Sequence, residues 1–503
     1  IKNEDPTRPV QYEQARTGKS TDIYCPMYLD YNGCERYSKD DTKTKPLIQC
    51  EYAHAMFNSM GAMGEYNDLF DKYPALLGGA IWEYQDQGLY NNRDPKHPII
   101  AYGGGFGEFP NDKYFIHKGT VFSDRSPKPH YPEMKKVYQW IGITVEDAEK
   151  ATVKIRNRFQ FINLNDFTAA WSLAENGKVI SSGKLNLQEL KPGAEQIVSV
   201  PCKATNPKPG AEYFVRISFT QNNDELWAKK GFEVATHQFQ LPVKVAEIPV
   251  AEAKTPVSLT KNEKEVVIIG QDFSLVFSNA TGTFSSIKKG NQELLTGEGG
   301  PKLHLWRAPH RNDDMWADRD WVKNGLKELK WTVAEVASSQ PNANTAQISA
   351  TNKVDSNNPK LVVGRIGVRL MLNKQLDQIS YFGRGPMENY SDRKRAFDVG
   401  LYSSTIAEQM TPYEKPMDNG NHEDVRWAEI SQKSGLGIKV TSDKDLMQIT
   451  ALPYTDEEME KTEYRIDLPQ SSATVLCISH KTLGVGSAGC GPKPLPQYQV
   501  FAE

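Results

Sequence analysis

Glu51, Tyr52 and His54 close a short apolar run, Leu47-Ile48-Gln49-Cys50, that Pro46 introduces. A charge at the end of a buried strand costs several kcal/mol unless something pairs or uses it. Parallel α/β architectures collect ligands and catalytic groups at that end. Two neighbouring runs finish in kindred groups, Met27-Tyr28 and Trp82-Glu83-Tyr84. A glycosidase needs a carboxylate beside the anomeric carbon, a phenol or amide to orient it, and an aromatic face for the sugar ring. Taken singly, Glu51 reads as a salt-bridged strand terminus, Tyr28 as a rim tyrosine, Trp82 as core and His54 as a satisfied histidine. Their placement on successive strand ends is what favours chemistry.

The elements that must hold these groups alternate over residues 1–140. Strands are predicted at 9–12, 22–28, 47–51 and 79–84, with a helix over 59–73 between the third and fourth. Asn58 or Ser59 is its expected cap and Pro74 its stop, and Met60, Met63, Tyr66, Phe70 and Tyr73 form one apolar face. This pattern predicts half of a (β/α)8 barrel. Its four strands would leave two open edges, which makes this region the expected weak point unless a partner chain covers them. From 141 to 241 the period drops to two, with strands at 152–163, 169–173 around Trp171, 178–181, 196–200 and 213–219 and a turn at Asn176-Gly177, an immunoglobulin-like β-sandwich. Residues 242–258, with Pro242, Pro249 and Pro256, read as a linker. Residues 259–503 read as one large β-sandwich, with strands at 266–269, 273–277, 347–351, 364–372, 437–441, 447–451 and 473–478 and one helical pattern at 316–327.

Composition narrows the function classes. Sixty Lys and Arg against 63 Asp and Glu argue against nucleic acid or an anionic membrane as the main partner. No run is long enough to span a bilayer, so no membrane insertion is expected. The first residues carry neither an initiator Met nor a signal-peptide core, so the chain is expected to begin in mid-protein. Cys25, Cys34, Cys50, Cys202, Cys477 and Cys490 form no C-x-x-C pair, which indicates neither zinc nor a disulfide scaffold. A soluble protein is expected, with cytoplasm and periplasm both open. The run Gly103-Gly104-Gly105-Phe106-Gly107 lacks the Lys-Ser/Thr of a P-loop and reads as a mobile active-site loop.

The runs Cys25-Pro26-Met27-Tyr28, Glu51-Tyr52-Ala53-His54-Ala55-Met56 and Gly78-Gly79-Ala80-Ile81-Trp82 resemble the long bacterial β-galactosidases of glycoside hydrolase family 2. So do Trp306-Arg307-Ala308-Pro309 with Asn312-Asp313, the run Gly383-Arg384-Gly385-Pro386-Met387-Glu388-Asn389-Tyr390-Ser391-Asp392-Arg393, and Thr411-Pro412-Tyr413 with Asp418-Asn419-Gly420. The resemblance implies a multidomain chain: the C-terminal half of a (β/α)8 barrel, an immunoglobulin-like sandwich and a large galactose-mutarotase-like β-sandwich. It implies that Glu51 is the nucleophile of a retaining mechanism, forming a covalent galactosyl-enzyme, with Tyr28 contacting its carboxylate. It assigns His54 to galactosyl hydroxyls, Trp82 to the floor under the sugar and Met27 to the substrate site. Phe115 would offer its carbonyl to a monovalent cation, and Asn111 would lie near a magnesium shell.

Two residues depart from that pattern. Lys118 stands where the family often places a sodium-ligating asparagine, and an ammonium there would repel Na⁺ or replace it. Cys490 stands where some members carry an aglycone-side tryptophan. The resemblance also places the acid/base glutamate and the main Mg²⁺ ligands before Ile1, and Glu13, Glu83 and Asp86 match no family acid. Residues 1–503 are therefore expected to hold an incomplete site with negligible hydrolysis. Expected partners are a β-galactoside and either further copies of the chain or the missing barrel half. The alternatives are a non-catalytic carbohydrate-binding or assembly fragment, and a β-glucuronidase or β-mannosidase, whose shorter forms lack such a C-terminal sandwich.

Overall fold

In the computed structural model, which describes residues 1–246, 254–297, 299–354 and 358–502, the apolar run forms a strand as expected. Helix α1 (Tyr31–Lys39) precedes it, capped by the Asp30 carboxylate, which accepts from Gly33 N at 2.8 Å. Strand β1 (Leu47–Tyr52), helix α2 (Met63–Lys72) and strand β2 (Leu76–Ile81) follow, and β1 pairs β2 in parallel. Helix α3 (His130–Val137) packs behind, its Met134 and Val137 against the Leu47, Tyr52, Met63 and Leu69 core.

Parallel neighbours run in chain order, Gln11 beside Ile23, Tyr24 beside Leu47 and Met27 beside Glu51, so the βα reading holds. Strands at 9–12 and 22–28, however, reduce to these single bridges. Prolines explain it: Pro26 O accepts from Cys50 N at 3.1 Å, but a proline has no N–H to return, so the ladder breaks. The fourth strand lies at Leu76–Ile81 rather than 79–84. Helix α2 starts at Met63 instead of 59, after Ala62 with φ 60° and no side-chain cap. Phe57 and Met60 also take positive φ, 48° and 67°, so the chain from 57 to 62 cannot be helix. Asn58 and Ser59 do not cap because their side chains are engaged elsewhere. Of the predicted apolar face, Met63, Tyr66 and Phe70 lie on α2, while Met60 and Tyr73 flank the helix and reach the same core.

A three-stranded sheet (Ile141–Asp147, Thr152–Asn157, Glu195–Ser199) faces a four-stranded one, in the order Glu233–Leu241, Tyr213–Gln221, Phe167–Glu175, Lys178–Lys184. Val153, Ile155, Trp171, Leu173, Val215 and Ile217 fill the space between. Asn176 and Gly177 turn at φ 47° and 80°, the left-handed pair a tight hairpin requires. Of the expected linker, Val243 and Val245 pack on this core, Ser258 opens a strand, and 247–253 lie outside the described residues.

The remainder is almost all β. All seven strands expected there are present, joined by others at Gln378–Gly385, Asp398–Thr405, Asn421–Val425 and Trp427–Ser431. A five-stranded sheet containing Arg365–Asn373, Ala473–Thr482 and Met447–Leu452 packs on a four-stranded one through Leu372, Ile379, Tyr381, Ile430, Ile449 and Leu476. The helix expected at 316–327 is Asp318–Lys323. No helix among the described residues is long and apolar enough to cross a membrane.

Candidate active site

Strand β1 ends with Glu51 half-buried and His54 fully buried three residues on. The parallel partner segment brings Tyr28 alongside, its N–H donating to Glu51 O at 2.9 Å, and the Tyr28 ring meets the His54 ring edge-on at 5.8 Å. Burial first, then the neighbouring Glu51 carboxylate, push the phenol pKa up, so Tyr28 remains a neutral donor. Its hydroxyl is buried against the Glu51 carboxylate, close enough for that contact to raise the phenol pKa, though no hydrogen bond of full geometry forms. Neither nitrogen of His54 has a hydrogen-bond partner, and burial and then the Lys118 and Lys128 charges lower its pKa to about 4. The imidazole is therefore neutral at physiological pH, one nitrogen a donor and the other an acceptor.

Across from these, Ala55 N donates to Trp82 O at 2.9 Å, tying the Trp82 turn to the end of β1. Lys118 lies 5.9 Å from the Trp82 ring centre, and its ammonium reaches Glu83 at 3.1 Å and Gln87 at 3.0 Å. The Phe115 ring is 6.2 Å from that of His54 and carries the Arg311 guanidinium at 5.5 Å. Cys490 comes in from the far end of the chain. Burial and the Glu51 charge raise its thiol pKa, and the adjoining Gly489 packs so close to His54 that a Cβ there would stand 3.0 Å from Nδ1. Glu51, Tyr28, His54, Phe115, Trp82, Lys118 and Cys490 are thus brought together. Met27 is exposed on the edge beside Glu51.

Asn111 is not brought to this group as a free ligand. Its amide donates to Glu108 O at 3.0 Å and accepts from Lys113 N at 3.1 Å, closing its own turn. The glycine run beside it is tied down rather than loose at its centre, because the Glu108 carboxylate accepts from Gly104 N and Phe106 N at 2.6 and 2.9 Å. The carboxylates considered as a second acid are occupied or lie elsewhere. Glu83 pairs with Lys118, Asp86 is buried against Lys128 at 2.7 Å, and the Glu13 charge bears on Cys25 and Cys50. A hard divalent ion needs several oxygen ligands, and the residues around Glu51 do not fit Mg²⁺. The described cluster with metal-ligand spacing, His304, Asp456 and Cys477, lies away from the site, with Arg365 and Arg369 3.8 and 4.0 Å from its carboxylate.

Sequence reasoning missed what fixes the turn after His54. Arg393, fully buried, donates to Ser59 O at 2.6 Å and to Asn58 Oδ1 at 2.8 Å. Asn58 in turn donates to Tyr390 Oη at 2.9 Å and Asp418 O at 2.8 Å. Gly61 N donates to Gly486 O at 3.0 Å, and Ala62 N to Asp392 O at 2.7 Å. Arg307 forks onto Asp313 with both bonds at 2.9 Å, while Asn312 donates to Val485 O at 3.1 Å and accepts from Gly489 N at 2.8 Å. The distant C-terminal motifs thus converge on one buried network around residues 57–62. The available signal was the density of Arg, Asp and Asn at 307–314, 383–395 and 418–424.

Three family models match in succession. Residues 1–143 match the glycosyl hydrolases family 2 TIM barrel domain, 153–242 match β-galactosidase domain 4, and 269–503 match the β-galactosidase small chain. A β-galactosidase of Priestia megaterium is 31% identical over 533 residues, covering 100% of this chain and 51% of its own length. One of Psychromonas ingrahamii is 32% identical over 496 residues, covering 87% and 47%. A solved β-glucuronidase 2 of Bacteroides uniformis aligns over 95% of this chain and 48% of that one at 13% identity and a TM-score of 0.22, too low to argue from. The chain spans about half the length of the curated relatives it matches. With the three models laid end to end along it, the chain belongs to glycosyl hydrolase family 2 and corresponds to the C-terminal portion of that family's β-galactosidases.

Proposed function

We propose that the chain carries the nucleophile side of a retaining β-galactosidase site, within a half-barrel (1–140), an immunoglobulin-like unit (141–241), a linker (242–258) and a large sandwich (259–503). One observation carries the reading: a carboxylate at a strand end stands against a buried phenol and beside an imidazole whose two nitrogens are buried and unpartnered. A polyhydroxyl ligand supplies the missing partners. Glu51 attacks the anomeric carbon as the bond to the aglycone oxygen breaks, giving a glycosyl ester. Water then attacks the same carbon and frees the Glu51 carboxylate. Tyr28 orients the carboxylate, His54 holds sugar hydroxyls, and Trp82 and Met27 border the ring. Galactose is the chosen glycone because the curated relatives named above are β-galactosidases.

Departure of the aglycone as an alcohol needs a second carboxyl group about 5 Å from the first. Glu83 and Asp86, both ion-paired, do not fill that role. The test therefore uses a substrate whose leaving group needs no proton, a 2,4-dinitrophenyl 2-deoxy-2-fluoro-β-galactoside. Incubation with residues 1–503 should add one fluorogalactosyl unit, mapped to Glu51 by peptide mass spectrometry and absent in Glu51→Gln. A label on another carboxylate, or none in the folded protein, refutes the assignment.

A further inference from the structure

Lys118 is the charged residue of this site that the reaction above leaves without a task. Its side chain is 12% exposed, and it belongs to the same segment as Phe115, whose ring flanks His54. Its ammonium donates to the Gln87 amide oxygen at 3.0 Å and stands 3.1 Å from the Glu83 carboxylate as an ion pair without a hydrogen bond, which leaves it donors to spare. Its charge bears on His54 and on Cys490, and the ammonium itself lies 5.9 Å from the Trp82 ring centre, beside the face on which a sugar would stack.

That placement bears on the monovalent cation the family resemblance implies. A sodium ion held by the Phe115 carbonyl would enter beside a fixed positive charge, and the nearby Glu83 carboxylate is already neutralised by Lys118. Like charges in a confined, poorly hydrated site repel strongly. The residues present do not fit Na⁺ or K⁺.

We propose that the Lys118 ammonium is the resident cation of this site, donating a free proton to a glycone hydroxyl, so that sugar recognition here is indifferent to Na⁺ and K⁺. The hydroxyl contact rests on the glycosidase reading; the exclusion of the ion rests on Lys118 alone. Calorimetric titration of the whole chain with galactose, in sodium, potassium and choline chloride at one ionic strength, tests the first part. Sodium-23 line widths with and without protein test the second and need no sugar.

The parent protein should bind galactose with affinities within about twofold across the three salts and leave the sodium line unbroadened. Lys118→Asn, with the charge removed, should bind at least about tenfold more weakly in choline, gain affinity on adding sodium and broaden its line. Sodium that tightens parent binding by about fivefold or more, or that is broadened by the parent protein, overturns the exclusion, and neither result depends on whether the variant folds. Galactose that fails to bind the parent in any salt removes the hydroxyl contact and the glycosidase reading together, while the line widths still decide the ion.

Discussion

Replacing Arg393 by Met tests whether the sandwich holds the turn that follows the site. Arg393 is fully buried and lies 3.4 Å from Glu388, also fully buried, while its guanidinium donates to Ser59 O and Asn58 Oδ1. Methionine roughly keeps the stem and removes the charge. Glu388 would retain the Tyr413 hydroxyl at 2.6 Å and Gly420 N but lose its counter-charge. Breaking one side of a buried pair costs about 3–5 kcal/mol, because the remaining charge is uncompensated. The loss should depend on pH. Burial already pushes the Glu388 pKa above the carboxylate range, and Arg393 is the largest influence holding it down. Without Arg393 the folded pKa rises further above the unfolded one. The folded state then binds its proton more tightly, so stability falls as pH climbs through the window between the two values. Urea unfolding should therefore show a larger deficit for the variant at pH 8 than near pH 5. Adding Glu388→Gln should recover much of the pH 8 loss. A deficit under about 1 kcal/mol, or one that neither pH nor the second substitution moves, refutes the clamp.

Two further titrations follow from buried groups. Glu423 is 2% exposed and burial raises its pKa to about 7, with Lys394 opposing. Relative to Glu423→Gln, the parent should lose about 3 kcal/mol of stability as pH rises from about 4.5 to 7 and then stay level; parallel stability curves would contradict this. Because the His54 pKa is lowered to about 4, galactose affinity should be flat from about pH 5.5 to 8 and fall only as the imidazolium forms below that range. A break near pH 6.5 that His54→Gln abolishes would show a histidine far less shielded.

Regular alternation made most of the β architecture legible. The strand Tyr213–Gln221 buries every second residue from Tyr213 onward, and Trp171 lies inward as its period requires. The strands missed in the sandwich include Asn421–Val425, whose first three residues, Asn421, His422 and Glu423, are all buried. Buried polar groups erase the apolar signal on which a period depends. The start of α2 was illegible for a related reason: Asn58 and Ser59 have capping chemistry, but the Asn58 amide is held by residues more than 330 positions away and the Ser59 hydroxyl donates back to His54 O. Glu51, His54 and Trp82 could be singled out because each ends an apolar run. Asn111 could not be judged from its type, since an asparagine that closes a turn and one that ligates an ion look alike until the turn is seen.

The turn and the site are two sides of one energetic arrangement. Phe57, Met60 and Ala62 are held at positive φ, each at a cost of about 1–3 kcal/mol. Burying both His54 nitrogens unpartnered adds a penalty of about 1–3 kcal/mol per group. Neither cost is repaired locally. The strained turn is held by Arg393, Asp392 and the Val485–Gly486 backbone, groups that belong to the sandwich. That grip keeps His54 from turning away to find partners of its own. On the proposed reading, hydrogen-bonding capacity stored in this way is used when something rich in hydroxyls enters beside Glu51. The sandwich would then contribute to recognition through its grip on the turn, by keeping the strand end unsatisfied until a ligand arrives.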